Sequence, residues 1–235
     1  MPNFRTQRIM GRLIRLLAVL FIIAINAILI WRIFFSVKIP EQIDALAIND
    51  DVRLAYEEQG DSLQLLYQDQ ASVTRAEHNY GYFSVPKCTF LPQANQVQVV
   101  FRYNNSTLKN LAKDYELEQI PTRDADLFDV TLVLTTDLTP DNRDDNTDPA
   151  TLSKERILPT EIRRERTSLY TYYLLVFENV RVEEITAGVF VDIYYREDID
   201  YDREAYGTLC LYSPDDEWLT RSLTRTDKKA LKDKQ

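Results

Sequence analysis

The chain has 235 residues, 45% of them hydrophobic, enough for a packed domain besides an apolar segment. All 37 acidic residues follow residue 37 and 5 of the 28 basic ones precede it, so the remainder sets 23 basic against 37 acidic residues, a net charge of −14. That balance argues against nucleic acid as a partner, because phosphates need basic surface, and the scarcity of glycine (5 residues) argues against phosphate-cradling loops and solenoid or collagen-like arrays.

Residues 1–12 form a basic tail carrying Arg5, Arg8 and Arg12. Within residues 13–37, the stretch 13–35 is apolar almost without a break, interrupted by Arg15, Asn26 and Arg32. A helix hydrophobic all round needs apolar surroundings, and about 20 such residues cross a hydrocarbon core. The segment therefore reads as a transmembrane helix, with Trp31 near one interface and Arg15 and Arg32 reaching toward headgroups. Lysine and arginine concentrate before it, which by the positive-inside rule leaves the N-terminus in the cytoplasm and the rest outside the plasma membrane. The apolar run exceeds the 7–15 residues usual in a signal peptide, and Ala45-Leu46-Ala47 lies far beyond it for a cleavage site. An uncleaved signal-anchor follows.

Residues 38–60 read as a juxtamembrane stalk or packing helix, begun after Pro40, broken at Asp50-Asp51 and ended by Gly60-Asp61. From there the period changes to two. Strand-like segments lie at 62–68, 80–85 (stopped by Pro86), 88–91 (stopped by Pro92), 97–103, 128–135, 170–177, 189–195 and 208–212. In 97–103, Val97, Val99, Phe101 and Tyr103 share one face. Ser106 is a candidate N-cap for a helix over 107–115, and 138–160 reads as a polar loop. Strands without regular intervening helices predict an all-β fold over 61–220, an immunoglobulin-like antiparallel β-sandwich with one short internal helix behind the N-terminal transmembrane helix. Residues 221–235 read as a basic, disordered tail. In architecture alone, the layout resembles bacterial envelope proteins with one anchor and an immunoglobulin-like exterior domain.

Asp144, Asn146, Asp148 and Glu155 match positions 1, 3, 5 and 12 of a calcium loop. Pro149 occupies the position that needs glycine, and its fixed φ cannot supply the turn. An acidic solvated loop is the competing account, and no cofactor other than calcium is suggested. Cys88 and Cys210 both sit in strand-like text and could pair or simply be buried. Tyr170, Tyr172 and Tyr194 are candidates for a binding surface, since tyrosine joins a rigid apolar ring to a polar tip. His78 is the sole histidine, in polar text, without the motifs of a nucleophilic or zinc mechanism. The expected role is a single-pass envelope protein displaying an acidic, tyrosine-rich sandwich to an envelope protein or glycan. The alternative is an envelope enzyme acting on carbohydrate through paired carboxylates.

Overall fold

A computed structural model describes residues 4–68, 72–75, 82–135, 154–181, 188–199, 205–212 and 219–232. The chain divides into two units, residues 1–39 and 40–235. The first is one helix, α1 (Phe4–Val37). Its stretch Ile14–Trp31 has a mean hydropathy of 2.5 and no part of it is buried in protein. Ile14, Phe21, Ile28 and Trp31 each expose about 60–70% of their surface, an arrangement water disfavours and lipid satisfies. The one mid-helix amide is answered locally, Asn26 Nδ2 donating to the Ile22 carbonyl four residues back at 2.8 Å.

The second unit opens with a single helical turn, α2 (Glu41–Asp44), and a helix α3 (Asp50–Gln59). The break expected at Asp50-Asp51 is a helix start. The Asn49 side chain accepts from the Val52 amide at 3.0 Å, and both aspartates sit in the first turn, where the helix dipole favours negative charge. Gly60 ends it with a positive φ of 57°, a conformation glycine adopts without steric cost.

Eleven strands are described: β1 (Leu65–Gln68), β2 (Ser72–Arg75), β3 (Phe83–Leu91), β4 (Gln96–Asn104), β5 (Phe128–Thr135), β6 (Lys154–Ile157), β7 (Glu161–Arg166), β8 (Tyr170–Phe177), β9 (Val189–Tyr195), β10 (Gly207–Tyr212) and β11 (Leu219–Arg221). They form a six-stranded sheet, β11-β1-β3-β4-β8-β7, and a five-stranded sheet, β2-β10-β9-β5-β6, antiparallel throughout. Two more helices, α4 (Asn105–Asp114) and α5 (Arg225–Lys232), make the unit mostly β rather than purely so.

One core lies between the sheets. Val97, Val99, Phe101 and Tyr103 of β4, with Tyr173, Leu175 and Phe177 of β8, meet Val130, Leu132 and Leu134 of β5 and Val189, Val191 and Ile193 of β9. Burying each large side chain contributes about 1.5–3 kcal/mol before chain entropy is subtracted. Phe83 of β3 sits edge-on to Phe128 (centroids 5.1 Å apart) and Tyr206 (6.0 Å), and its ring lies directly over Gly207.

β8 is buried from Thr171 to Phe177 without alternation. Its outward residues are covered by the chain entering the domain, where Ile43 and Ala47 are buried. Gln98 of β4 points the same way and is met on both sides, its Oε1 accepting from the Ala47 amide at 2.9 Å and its Nε2 donating to the Ala47 carbonyl at 2.7 Å. A smaller second core joins the two ends of the domain: Val52 and Ala55 of α3, Leu63, Leu65, Leu91 and Ala94, with Leu223 and Leu231 from the C-terminal segment.

Several expectations change. Of the stalk and the packing helix expected over 38–60, the packing helix is the one present: from residue 40 onward Ile43, Ala47, Val52 and Ala55 are buried in the domain. The tail from 221 is not disordered through residue 232. β11 pairs with β1, and α5 begins at a capping box in which the Thr224 amide donates to Asp227 Oδ2 (2.9 Å) and the Asp227 amide to Thr224 Oγ1 (3.1 Å). Pro86 does not stop a strand. β3 runs through it with a register shift between Ser84 and Lys87, the irregularity at which a strand tolerates proline. The internal helix starts at Asn104, whose Oδ1 accepts from the Ser106 and Thr107 amides at 2.7 and 3.2 Å, and not at Ser106.

Candidate functional site

Strand alternation puts Tyr170 and Tyr172 on the outer face of the six-stranded sheet, with ring centroids 5.9 Å apart. Arg102 of β4 reaches across to them. Its guanidinium carbon lies 4.4 Å from the Tyr170 ring centre and 5.8 Å from that of Tyr172, while Nη1 donates to the Tyr172 hydroxyl at 3.2 Å and Nε to Ser84 Oγ at 2.9 Å. These contacts hold Arg102 over a tyrosine pair, a cation–π arrangement. Tyr172 is fully buried, so it supports this assembly from beneath, and Tyr170, half-buried, offers the accessible part. Tyr194 lies elsewhere. It faces outward from β9 on the five-stranded sheet and is buried; burial, helped by the Asp192 charge, pushes its hydroxyl up to about 12. The three tyrosines are therefore not one surface.

A cleft of about 370 Å³ opens where α4, the segment 120–124 and the end of β7 meet. Asn105, Lys109, Thr122, Arg123 and Arg166 supply its polar wall, and Leu108, Ile120 and Pro121 its apolar one. Arg123 is only 9% exposed. Its Nη1 and Nη2 donate to the carbonyls of Thr167 (3.2 Å) and Ser168 (3.3 Å), fastening segment 120–124 to the β7–β8 turn. Burial, with the like charge of Arg166 nearby, holds its pKa below the usual guanidinium range. The lone acid, Asp124, is occupied: Arg166 Nη1 reaches both its oxygens, at 2.6 and 2.8 Å, and holds its carboxyl below the ordinary carboxylate range. Lys109 is exposed on the adjoining helix face. The sequence reading missed this cleft because Lys109, Arg123 and Arg166 lie far apart in a strongly acidic chain.

Of the calcium-loop residues, Asp144, Asn146 and Asp148 lie outside the described residues, as does His78; Glu155 is in β6, opposite Leu134 of β5. Among the described residues no cluster of three His, Cys, Asp or Glu side chains could hold a metal. No disulfide joins Cys88 to Cys210. Cys88 points from β3 into the core, where burial raises its thiol to about 12, whereas Cys210 alternates with the core residues Leu209 and Leu211 and faces away. The described carboxyls that shift clearly, Asp61 and Asp124, are both lowered, each by hydrogen bonding to a cation, Lys228 and Arg166. A general acid needs the opposite shift.

No protein-family model, no curated protein and no solved structure matches the chain.

Proposed function

We propose that this is a single-pass plasma-membrane protein, cytoplasmic at its N-terminus, that displays an immunoglobulin-like sandwich to a protein or glycan of the cell envelope. The observation that carries the proposal is α1: an apolar helix with no protein around Ile14–Trp31, followed by a separate unit with its own core. Orientation rests on Arg5, Arg8, Arg12 and Arg15 at its N-terminal end. The h-region length favours an anchor that stays uncleaved.

The immunoglobulin-like assignment is supported by strand order. Immunoglobulin domains set strands A-B-E-D against G-F-C, with C′ beside C in the variable type. Taking β3 as A gives β3-β4-β8-β7 on one sheet and β10-β9-β5-β6 on the other, the same succession, with β1, β2 and β11 added at the edges. The fold's inter-sheet disulfide and buried tryptophan have no counterpart here, because Cys88 and Cys210 fall on β3 and β10.

Protease added to intact cells tests the topology. Removal of the domain, leaving a membrane fragment of about forty residues as the anchor's length requires, is the expected result. A domain fully protected in sealed, viable cells would refute the orientation.

A further inference from the structure

The cleft beside α4 has a composition unlike the rest of the domain. In a unit whose charge is strongly negative, three cationic side chains from three separate elements, Lys109, Arg123 and Arg166, converge on one cavity with a single acid among them. Arg123 is the informative member. A guanidinium is costly to bury unless it is paired, and this one is more than nine-tenths buried with main-chain carbonyls as its hydrogen-bond partners. Asp124, the nearest carboxylate, is taken up by Arg166. Lys109 makes no ion pair among the described residues.

We infer that this cleft binds a small organic oxyanion, a carboxylate or phosphate group carried on a compact apolar body. The oxyanion meets Lys109 and the Arg166 donors that Asp124 leaves over, since Asp124 engages Nη1 alone, with the buried Arg123 adding positive charge to the wall. The body lies against Leu108, Ile120 and Pro121. At about 370 Å³ the cavity falls within the range of small-ligand pockets and exceeds the needs of an inorganic ion. The site stands independently of membrane topology, so its failure and that of the proposed display role would be separate results.

The test uses the full chain in neutral maltoside micelles, with melting followed by circular dichroism. The probes are phenyl phosphate and benzoate, each compared with chloride at equal ionic strength. Either probe is expected to raise Tm by several degrees at about a hundredfold excess over Kd; which one does so identifies the oxyanion. Lys109→Glu, at an exposed position, should weaken binding at least tenfold, and Lys229→Glu, the same charge change on exposed α5, should not. Equal melting in probe and chloride would overturn the inference, and so would equal weakening by the two lysine variants. Arg166→Ala is a second cleft variant and is expected to behave like Lys109→Glu.

Discussion

Gly207→Ala is expected to destabilise the domain, although replacing glycine in a strand usually helps. A Cβ on Gly207 would stand 2.9 Å from Phe83 Cδ2 and 3.0 Å from Cε2, against 3.4–4 Å in an ordinary contact. The ring cannot step aside freely, being packed against Phe128, Tyr206, Tyr103 and Phe101 with centroids 5.1, 6.0, 6.5 and 6.4 Å away. Overpacking of this kind costs about 1–3 kcal/mol. The loss of unfolded-state freedom returns roughly 0.4–1 kcal/mol. With mid-range values of about 2 and 0.7 kcal/mol the net should be about 1.3 kcal/mol, or a Tm lower by roughly 3–5 °C for a domain of this size. Urea unfolding of the full chain in micelles measures it. Shrinking the ring should relieve the clash, so Phe83→Leu combined with Gly207→Ala should lose about 0.5–3 kcal/mol less than the sum of the single changes. Unchanged or increased stability in Gly207→Ala, or a strictly additive double variant, would refute the packing account.

Alkali should unfold the domain early. Burial raises Tyr194, Tyr195 and Cys88 to about 12 and pushes Tyr103 and Tyr206 up as well, from ordinary values of 10.0 for tyrosine and 9.0 for cysteine. The folded chain keeps protons that the unfolded chain releases, so this stability is complete below about pH 9 and is lost progressively between roughly 9 and 12. Urea midpoints flat up to pH 11 would contradict this. Leu231→Ala in α5 should cost about 2–4 kcal/mol, and amide exchange should quicken in β1, which shares the second core through Leu65. Millimolar calcium should leave Tm unchanged, because Pro149 occupies the turn position of the acidic loop; a rise of several degrees, abolished by Asp144→Ala, would show that the loop closes around the ion.

Apolar alternation made the central strands legible. Phe128–Thr135, Tyr170–Phe177 and Val189–Tyr195 have the limits expected from their sequences, because each packs a β-branched and aromatic face into the core. β7 was hidden: Glu-Ile-Arg-Arg-Glu-Arg has no apolar face, since it is a sheet edge whose Ile162 is 49% exposed. Charge at such an edge discourages unwanted pairing and removes the usual strand signal along with it. α5 was masked by its lysines, although Thr224 and Asp227 are spaced as a capping pair. The tyrosines were legible as strand residues but not as a surface, because alternation places a side chain on a face without saying what covers that face. Tyr172 and Tyr194 both proved buried.

The pairing of β1 with β11 also sets an order of events during synthesis. β1 leaves the ribosome early, whereas Leu219–Arg221 and α5 are made some 150 residues later, and until then one side of β1 has no neighbour. The second core stays open for the same interval, since Leu223 and Leu231 are also translated some 150 residues after β1. A nascent or prematurely terminated chain therefore carries an exposed strand edge close in sequence to its apolar helix, the kind of surface that chaperones and quality-control proteases engage. Synthesis of β11 and α5 closes that edge and withdraws the signal.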